Sequence, residues 1–395
     1  MKILFIADIL PDLHSGSAVR NYYLLASLSK KYSVDFVGLT DNTHIVNMNI
    51  YRKLNIIQPT ILERRTLPFF VKLFYLLRGE IPYVQQRKNV KLPKHIITAL
   101  KKYDYIHLAE LNSYFLLEKY MQEIHVPIVL DAHNVEYIRF STEIKNASLL
   151  TRYIGNILSL KLKKLEIQAI KRIEHLSVCS LVDKEYFQKY IPKKDITVIP
   201  NGVNVSYYNY TNKTIQKKNN IVLFMGLLSY FPNDEGLQYY FSEIHPAVKT
   251  IIKNYEFHII GKDAQQWLKE KAKNDTSIKL FGFVNDTRQY IAKATICIAP
   301  LLSGSGTRLK ILEYMAMRKA IVATPKSAEG IEIKNEKNIL IAKNTNEFIQ
   351  SILKLFNNQK IRDDLGINAE KLIKDKYDWD SIGSNLNNMY EHLNN

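Results

Sequence analysis

Residues 296–331 read ICIAPLLSGSGTRLKILEYMAMRKAIVATPKSAEGI, and the fold class follows from how this stretch divides. Ile296–Pro300 is a short apolar run that stops at a proline, the pattern of a buried strand. Ser303–Thr307 is a loop with two glycines, Arg308–Met317 begins a helix, and Ala320–Thr324 is a second apolar run. Strand, glycine loop, helix and strand form the repeating unit of an α/β sheet. The turn into the helix is also an anion site, because glycine lets backbone N–H groups approach a ligand and the helix start adds free donors with partial positive charge. Arg308 and Lys310 fall at that helix start, where cations oppose the dipole, so the pattern predicts a phosphate or diphosphate that compensates them. Glu313 follows in the second turn, and its two carboxylate oxygens suit the two hydroxyls of a ribose. The plainer alternative is a connecting loop beside a solvated ion-pair face.

The same unit recurs on both sides. Lys2–Ala7 is a continuous apolar run, followed by the loop Asp8–Ser17, a helix from about Ala18 to Lys30 and a strand over Ser33–Leu39. Tyr105–Ala109, Pro127–Asp131, Ser177–Ser180 and Ile196–Ile199 read as further strands, and a long helix is predicted over about Ile154–Ile173. A second series opens with Ile221–Gly226 and continues through Glu256–Gly261 and Ile278–Phe281, and the loop Gly282–Asp286 then precedes a helix. Between the two series, Asn204–Asn219 is polar and without period and reads as a linker. At 395 residues the chain exceeds what one compact core usually holds. Two doubly wound, Rossmann-like halves facing across a cleft are therefore expected, residues 1–200 and 201–377, with a terminal helix over 378–395 completing the first.

Composition narrows the class. Hydrophobic content of 46% and charged content of 24% are those of a globular protein, but the net charge is +17, of which the first 200 residues carry +11. Such a balance favours a polyanionic partner: nucleic acid, an anionic membrane surface or phosphate-bearing substrates. The basic residues are dispersed and no nucleic-acid-binding motif appears, so nucleic acid is not expected. Cys179 and Cys297 lie in apolar runs and read as buried structural residues in a reducing compartment. No secretory signal and no apolar stretch of bilayer length is visible, so a cytoplasmic chain, either free or peripheral to the membrane, is expected. Residues 63–102 add a distinct signal. ERRTLPFFVKLFYLLR, over Glu63–Arg78, mixes aromatics with four cations and reads either as a membrane-contacting element or as a half-buried helix with a solvated basic edge.

The pattern Pro-x3-Gly-x-Gly-x-Arg-x-Lys-x2-Glu-x-Met-Ala over Pro300–Ala316, followed by Ala328-Glu-Gly330, resembles the nucleotide-sugar site of GT4-type retaining glycosyltransferases, group 1 enzymes of the GT-B fold. That resemblance implies transfer of a sugar from a nucleotide-diphosphate donor to a glycan or lipid-linked acceptor hydroxyl, in bacterial surface polysaccharide or glycoconjugate synthesis such as capsule or lipopolysaccharide. It implies that Arg308, Lys310 and the loop Ser303, Gly304, Ser305, Gly306 and Thr307 face the diphosphate, and that Glu313 holds the ribose. Gly226 would lie against the donor, and Val284 in the loop 282–286 would border the base. His133, in the strand-end segment Asp131-Ala-His-Asn-Val-Glu136, matches the histidine that faces the donor sugar. Gly16 matches the glycine of the first loop, and Arg20, Glu110, Asn134 and Glu136 are the acceptor-side candidates. Two departures bear on specificity. The family's first glutamate is replaced by Ser305, so the sugar is left open, and the arginine and lysine that relatives place after the strand ending at Gly226 are here Leu227 and Glu235. With Arg308 and Lys310 supplying charge instead, neither metal nor another cofactor is expected. Asp378 and Asp380 read as cap residues of the last helix rather than as a metal motif. The other readings are a GT-B sugar-nucleotide epimerase and a basic nucleic-acid-binding protein.

Overall fold

The computed structural model describes residues 1–13, 16–41, 46–144, 148–210, 220–304 and 306–394. The chain divides into two compact units, Met1–Pro200 with Ile382–Asn395, and Asn201–Ser381. Each is a sheet of parallel strands, so the chain is α/β, as its apolar runs predict.

In the first unit the strands are β1 (Lys2–Ala7), β2 (Ser33–Thr40), β3 (Thr60–Glu63), β4 (Tyr105–Ala109), β5 (Ile128–Ala132), β6 (His175–Val178) and β7 (Ile196–Val198), in the order β3-β2-β1-β4-β5-β6-β7. The second unit has β8 (Asn220–Met225), β9 (Tyr255–Ile260), β10 (Ile278–Gly282), β11 (Ile296–Ala299), β12 (Ile321–Ala323) and β13 (Leu340–Ile341), in the order β10-β9-β8-β11-β12-β13. Both orders reverse once, between β1 and β4 and between β8 and β11. Such switch points open a crevice outside the carboxyl ends of the strands, where ligands bind. The central strands are closed to solvent on both faces, which is why they read as unbroken apolar runs: residues 3–7 of β1 and 222–225 of β8 are all buried.

Several expectations are corrected. The helix predicted over Ile154–Ile173 spans Leu149–Arg172, its start set by Ser148, whose hydroxyl accepts the N–H of Thr151. Strand β6 begins at His175, two residues earlier than its apolar run, because the buried His175 ring reaches Thr197 and Asp195. Strand β3 carries no apolar run: it is a four-residue edge strand with no buried residue, paired along one side with β2. Of the predicted linker, Val205–Tyr208 is a helical turn, and residues 211–219 lie outside those described. Asp378, which reads as a cap residue in the sequence, stands just before the last helix, and its carboxylate accepts the N–H of Val205.

The last helix, Trp379–Asn394, contributes its later turns to the first unit. Tyr390 is fully buried there, its hydroxyl 2.7 Å from Nδ1 of His107, and Lys31 pairs with Glu391. Both cysteines are free and buried.

Candidate active site

In the second unit the switch point brings together the loop after β8 and the loop after β11. Helix Leu309–Ala316 starts one residue later than its sequence suggests, so Arg308 occupies the N-cap position instead of the first turn. Its guanidinium folds back over the loop, donating to the carbonyls of Gly306 at 3.0 Å and Ser303 at 3.3 Å. Only glycine fits at 304: its φ is +102°, and a Cβ there would sit 2.7 Å from the Arg308 guanidinium. Lys310 stays in the first turn. Its ammonium donates to the side-chain oxygen of Asn233 at 2.7 Å and lies 4.0 Å from the centre of the Phe224 ring. A neutral amide and an aromatic face thus hold a charge that would ordinarily meet a carboxylate. Burial, and then the neighbouring Arg308 charge, hold Lys310 well below the usual lysine range, against a smaller pull upward from Glu313.

Gly226 makes room for that ammonium. It directly follows β8 with φ at +157°, and a Cβ would come within 2.8 Å of the Asn233 amide and 2.9 Å of Lys310 Nζ. The hydroxyls of Ser303 and Thr307 are closed from solvent and bond to none of the described residues. Ser305 lies outside the described residues. Glu313 is half-buried, its carboxyl raised by burial against the Tyr208 hydroxyl, which is hydrogen-bonded to it, and Lys310. Tyr208 also bonds Thr287, just beyond the loop that carries Val284. That loop is anchored by Arg288, which pairs with Asp286 at 2.7 Å and stacks 3.9 Å from the Tyr207 ring centre. Among the described residues, no group of three or more His, Cys, Asp or Glu is placed to hold a metal ion.

In the first unit, four charged side chains close on one another at the carboxyl ends of β4 and β5. Asp131, fully buried, receives two N–H groups of Arg20 at 2.6 and 2.8 Å and the Ser177 hydroxyl at 2.7 Å. His133 lies with Nε2 3.0 Å from Asp131 and Nδ1 3.0 Å from Glu110. Neither ring nitrogen is aligned as a hydrogen bond, so the attraction is one of charge. Burial alone would lower the His133 pKa, but Glu110 and Asp131 outweigh it and raise it to about 9. The imidazole is therefore cationic near neutrality, and the four charges balance as two pairs. Glu110 pays a local cost for its place: φ is +71°, a strained value for a residue with a side chain, and its N–H is held by the carbonyl of Asp131.

The other candidates are placed as follows. Arg20 is 1% exposed and also donates to the carbonyls of Ile199 and Pro200, so it is built into the domain. Asn134 is half-buried in the turn after β5, and Glu136 opens helix Glu136–Glu143, its carboxylate bound by Arg139 at 2.7 and 2.9 Å. Gly16 is the exposed first residue of helix Gly16–Lys31. Sequence reading missed Asn233, Tyr208 and Asp131. Asn233 stands between a proline and an acidic pair with no motif of its own, and Tyr208 lies in a segment read as linker. Asp131 could have been found, since an acid ending an apolar strand demands a buried partner.

The family model for "Glycosyl transferases group 1" matches residues 219–358, and that for "Glycosyltransferase Family 4" matches residues 15–207. An uncharacterized 44.6 kDa protein in the cps region of Klebsiella pneumoniae is 24% identical over 299 residues, covering 72% of this chain and 74% of that one. An uncharacterized glycosyltransferase of Methanocaldococcus jannaschii is 27% identical over 281 residues, 67% of each chain. Among solved structures, Anabaena HepE in complex with UDP superposes with a TM-score of 0.70 at 15% identity, covering 99% of this chain and 100% of that one. Sucrose-phosphate synthase from Thermosynechococcus elongatus gives 0.72 at 15% identity over 99% and 98%. These structures share the GT-B fold of two Rossmann-like domains.

Proposed function

The chain belongs to the group 1, GT4-type glycosyltransferases, and from that premise we propose that it transfers a sugar from a nucleoside-diphosphate donor to an acceptor hydroxyl with retention at the anomeric carbon. The observation that carries this reading is the Lys310 ammonium, held by a neutral amide beside a glycine loop with two unpartnered hydroxyls. Such a site is short of negative charge, and a diphosphate supplies it. Arg308 and Lys310 stabilise the leaving diphosphate as the bond between it and the anomeric carbon breaks. Glu313 takes the ribose hydroxyls once Tyr208 yields its hydrogen bond, and the loop of Val284 borders the base. The acceptor oxygen bonds to the anomeric carbon on the face the diphosphate leaves, and its proton passes to a diphosphate oxygen. His133 orients the sugar as a cation held by Glu110 and Asp131. Two fixed cations give the diphosphate its counter-charge, so the reaction proceeds in EDTA. Support for a nucleotide-sugar donor comes also from the bound UDP of the Anabaena structure.

Surface polysaccharide synthesis is the role we infer, in line with the cps-region location of the Klebsiella relative. The acceptor would then be presented at a membrane, and exposed apolar side chains of the first unit support that reading. Helix Phe69–Leu77 buries none of its residues and exposes Phe69, Phe70 and Leu77 by 71, 80 and 81%. Lys161, midway along helix Leu149–Arg172, donates to the carbonyl of Gly79, and that helix has exposed apolar side chains of its own at Leu149, Tyr153, Ile157 and Leu160. Exposed apolar side chains beside cations, with Lys72 on the same helix and the Arg78 guanidinium 5.3 Å from the centre of the Phe74 ring, suit an anionic bilayer. Among the described residues, no helix is long and apolar enough to cross one.

The test is release of nucleoside diphosphate from UDP-, GDP-, dTDP- and ADP-sugars with membrane extract as acceptor, followed by NMR of the product linkage. Turnover of one donor, lost in Lys310→Ala and giving a product of the donor's anomeric configuration, is expected. An inverted product would refute the retaining mechanism.

A further inference from the structure

A second cationic site lies in the first unit, outside the cluster around His133. Asp8, Asp41 and Arg64 follow the carboxyl ends of the adjacent strands β1, β2 and β3. Beside them is a cavity of about 410 Å³ lined by Asp41, Arg64, Thr66, Lys72, Gln86 and Arg87, among others. Its charges do not balance. Asp8, 3% exposed, is shared by two guanidinium groups, receiving Arg87 at 2.9 and 3.1 Å and Arg64 at 3.1 Å. One buried carboxylate neutralises one of them. The other is met by Asp41 in a bidentate pair at 2.9 and 3.0 Å, whose carboxylate side chain is 61% exposed and so open to exchange with a ligand anion. Lys72, from the exposed helix Phe69–Leu77, is a third cation and meets no acid among the described residues.

We propose that this cavity binds the phosphate or diphosphate group of the acceptor, a proposal that rests on the transferase reading above and names its acceptor class. When the ligand displaces the solvated Asp41, Arg64, Arg87 and Lys72 face it against Asp8 alone. That leaves a surplus of about two positive charges, which matches a phosphate monoester or diphosphate better than a single carboxylate. Guanidinium groups at a fixed spacing favour the same ligand, since each can bond two phosphate oxygens at once. The cavity is also placed to deliver an acceptor. Asn112, two residues beyond Glu110, donates to Asp8 at 3.0 Å, so the segment that carries Glu110 towards His133 is linked through Asp8 to the two arginines that line the cavity. Lys72 joins it to the apolar helix. The phosphate group can belong to a membrane lipid carrier or to a soluble phosphorylated sugar, and the two share the chemistry that the cavity reads.

The test is calorimetric titration with inorganic diphosphate on the full chain, using Lys310→Ala to remove binding at the nucleotide site. In that background, binding that persists, weakens about 5-fold or more with Lys72→Glu and tightens about 2- to 5-fold with Asp41→Asn supports the proposal. Both substitutions are at exposed side chains, so folding is not at stake. Diphosphate binding that disappears with Lys310→Ala, or that ignores both substitutions, overturns it. Vesicles then separate the sources: a preference for phosphatidate over phosphatidylglycerol at matched surface charge, lost in Lys72→Glu, marks a lipid carrier. Binding of the soluble probe without that preference marks a phosphorylated sugar. If Lys72→Glu leaves nucleoside diphosphate binding intact while Lys310→Ala removes it, the donor reading stands whatever becomes of the cavity.

Discussion

Lys310 shows how a single residue can be read for function by what it lacks. A buried ammonium beside a second cation is unfavourable when protonated, and its pKa falls accordingly. A bound diphosphate reverses the balance and restores the proton. Nucleotide binding should therefore take up a proton, so affinity should fall as pH rises above the lowered pKa of the free protein. Calorimetry in buffers of differing ionisation heat measures that uptake, and Lys310→Met should abolish it. His133 is perturbed in the other direction. Its folded pKa of about 9 exceeds the ordinary 6.5, so it adds stability that is complete below about pH 6.5 and lost as pH rises through about 9. The ceiling on that contribution is about 3 kcal/mol. Urea midpoints on either side of this window should separate wild type from His133→Gln below it and converge above it. A constant difference across the window would mean that the imidazole is neutral throughout.

At the scale of elements, legibility depended on whether a signal was local. Central strands such as β1 and β8 are enclosed on both faces, and their apolar runs announce them. Edge strand β3 has only one neighbour and no buried residue, so nothing in Thr60–Glu63 marks it. The loop 303–307 was legible because two glycines before a helix have a backbone meaning, whereas Asn233 acquires its role only when β8 brings it to Lys310, 77 positions away in sequence. Arg308 was misplaced by one residue, enough to turn its guanidinium from the helix start onto loop carbonyls. Helix Phe69–Leu77 leaves both of its readings open: Val71, Tyr75 and Leu76 are half-buried, with Leu76 packed against the core, while Phe69, Phe70 and Leu77 are exposed. Vesicle sedimentation separates the two. Phe70→Glu with Leu77→Glu should reduce binding to anionic vesicles at least tenfold, and salt should weaken what wild type binds. Equal binding by both proteins would assign the helix elsewhere.

Across the whole molecule, one architecture is used twice with different contents. Both sheets are parallel and reverse order once, and both place charged side chains beyond the carboxyl ends of the strands at the reversal. The second unit sets cations against an aromatic face and a neutral amide, an arrangement that calls for an anion. The first pairs its buried charges around Asp131 and keeps a surplus of cations beside Asp8. This division agrees with a basic first half, and on the proposed reading the nucleotide would bind one unit and a charged acceptor the other. The most direct measurement is the thermal midpoint of the second unit with UDP, GDP, dTDP and ADP in excess, with and without EDTA, for wild type, Lys310→Ala and Glu313→Ala. A ligand at about 100 times its dissociation constant stabilises by about 2.7 kcal/mol, which for a unit of this size raises the midpoint by roughly 5–10 °C. The account predicts such a rise with one nucleotide, unchanged by EDTA and absent from both variants. A midpoint that none of the four nucleotides moves, or a rise that survives in Lys310→Ala, would contradict it.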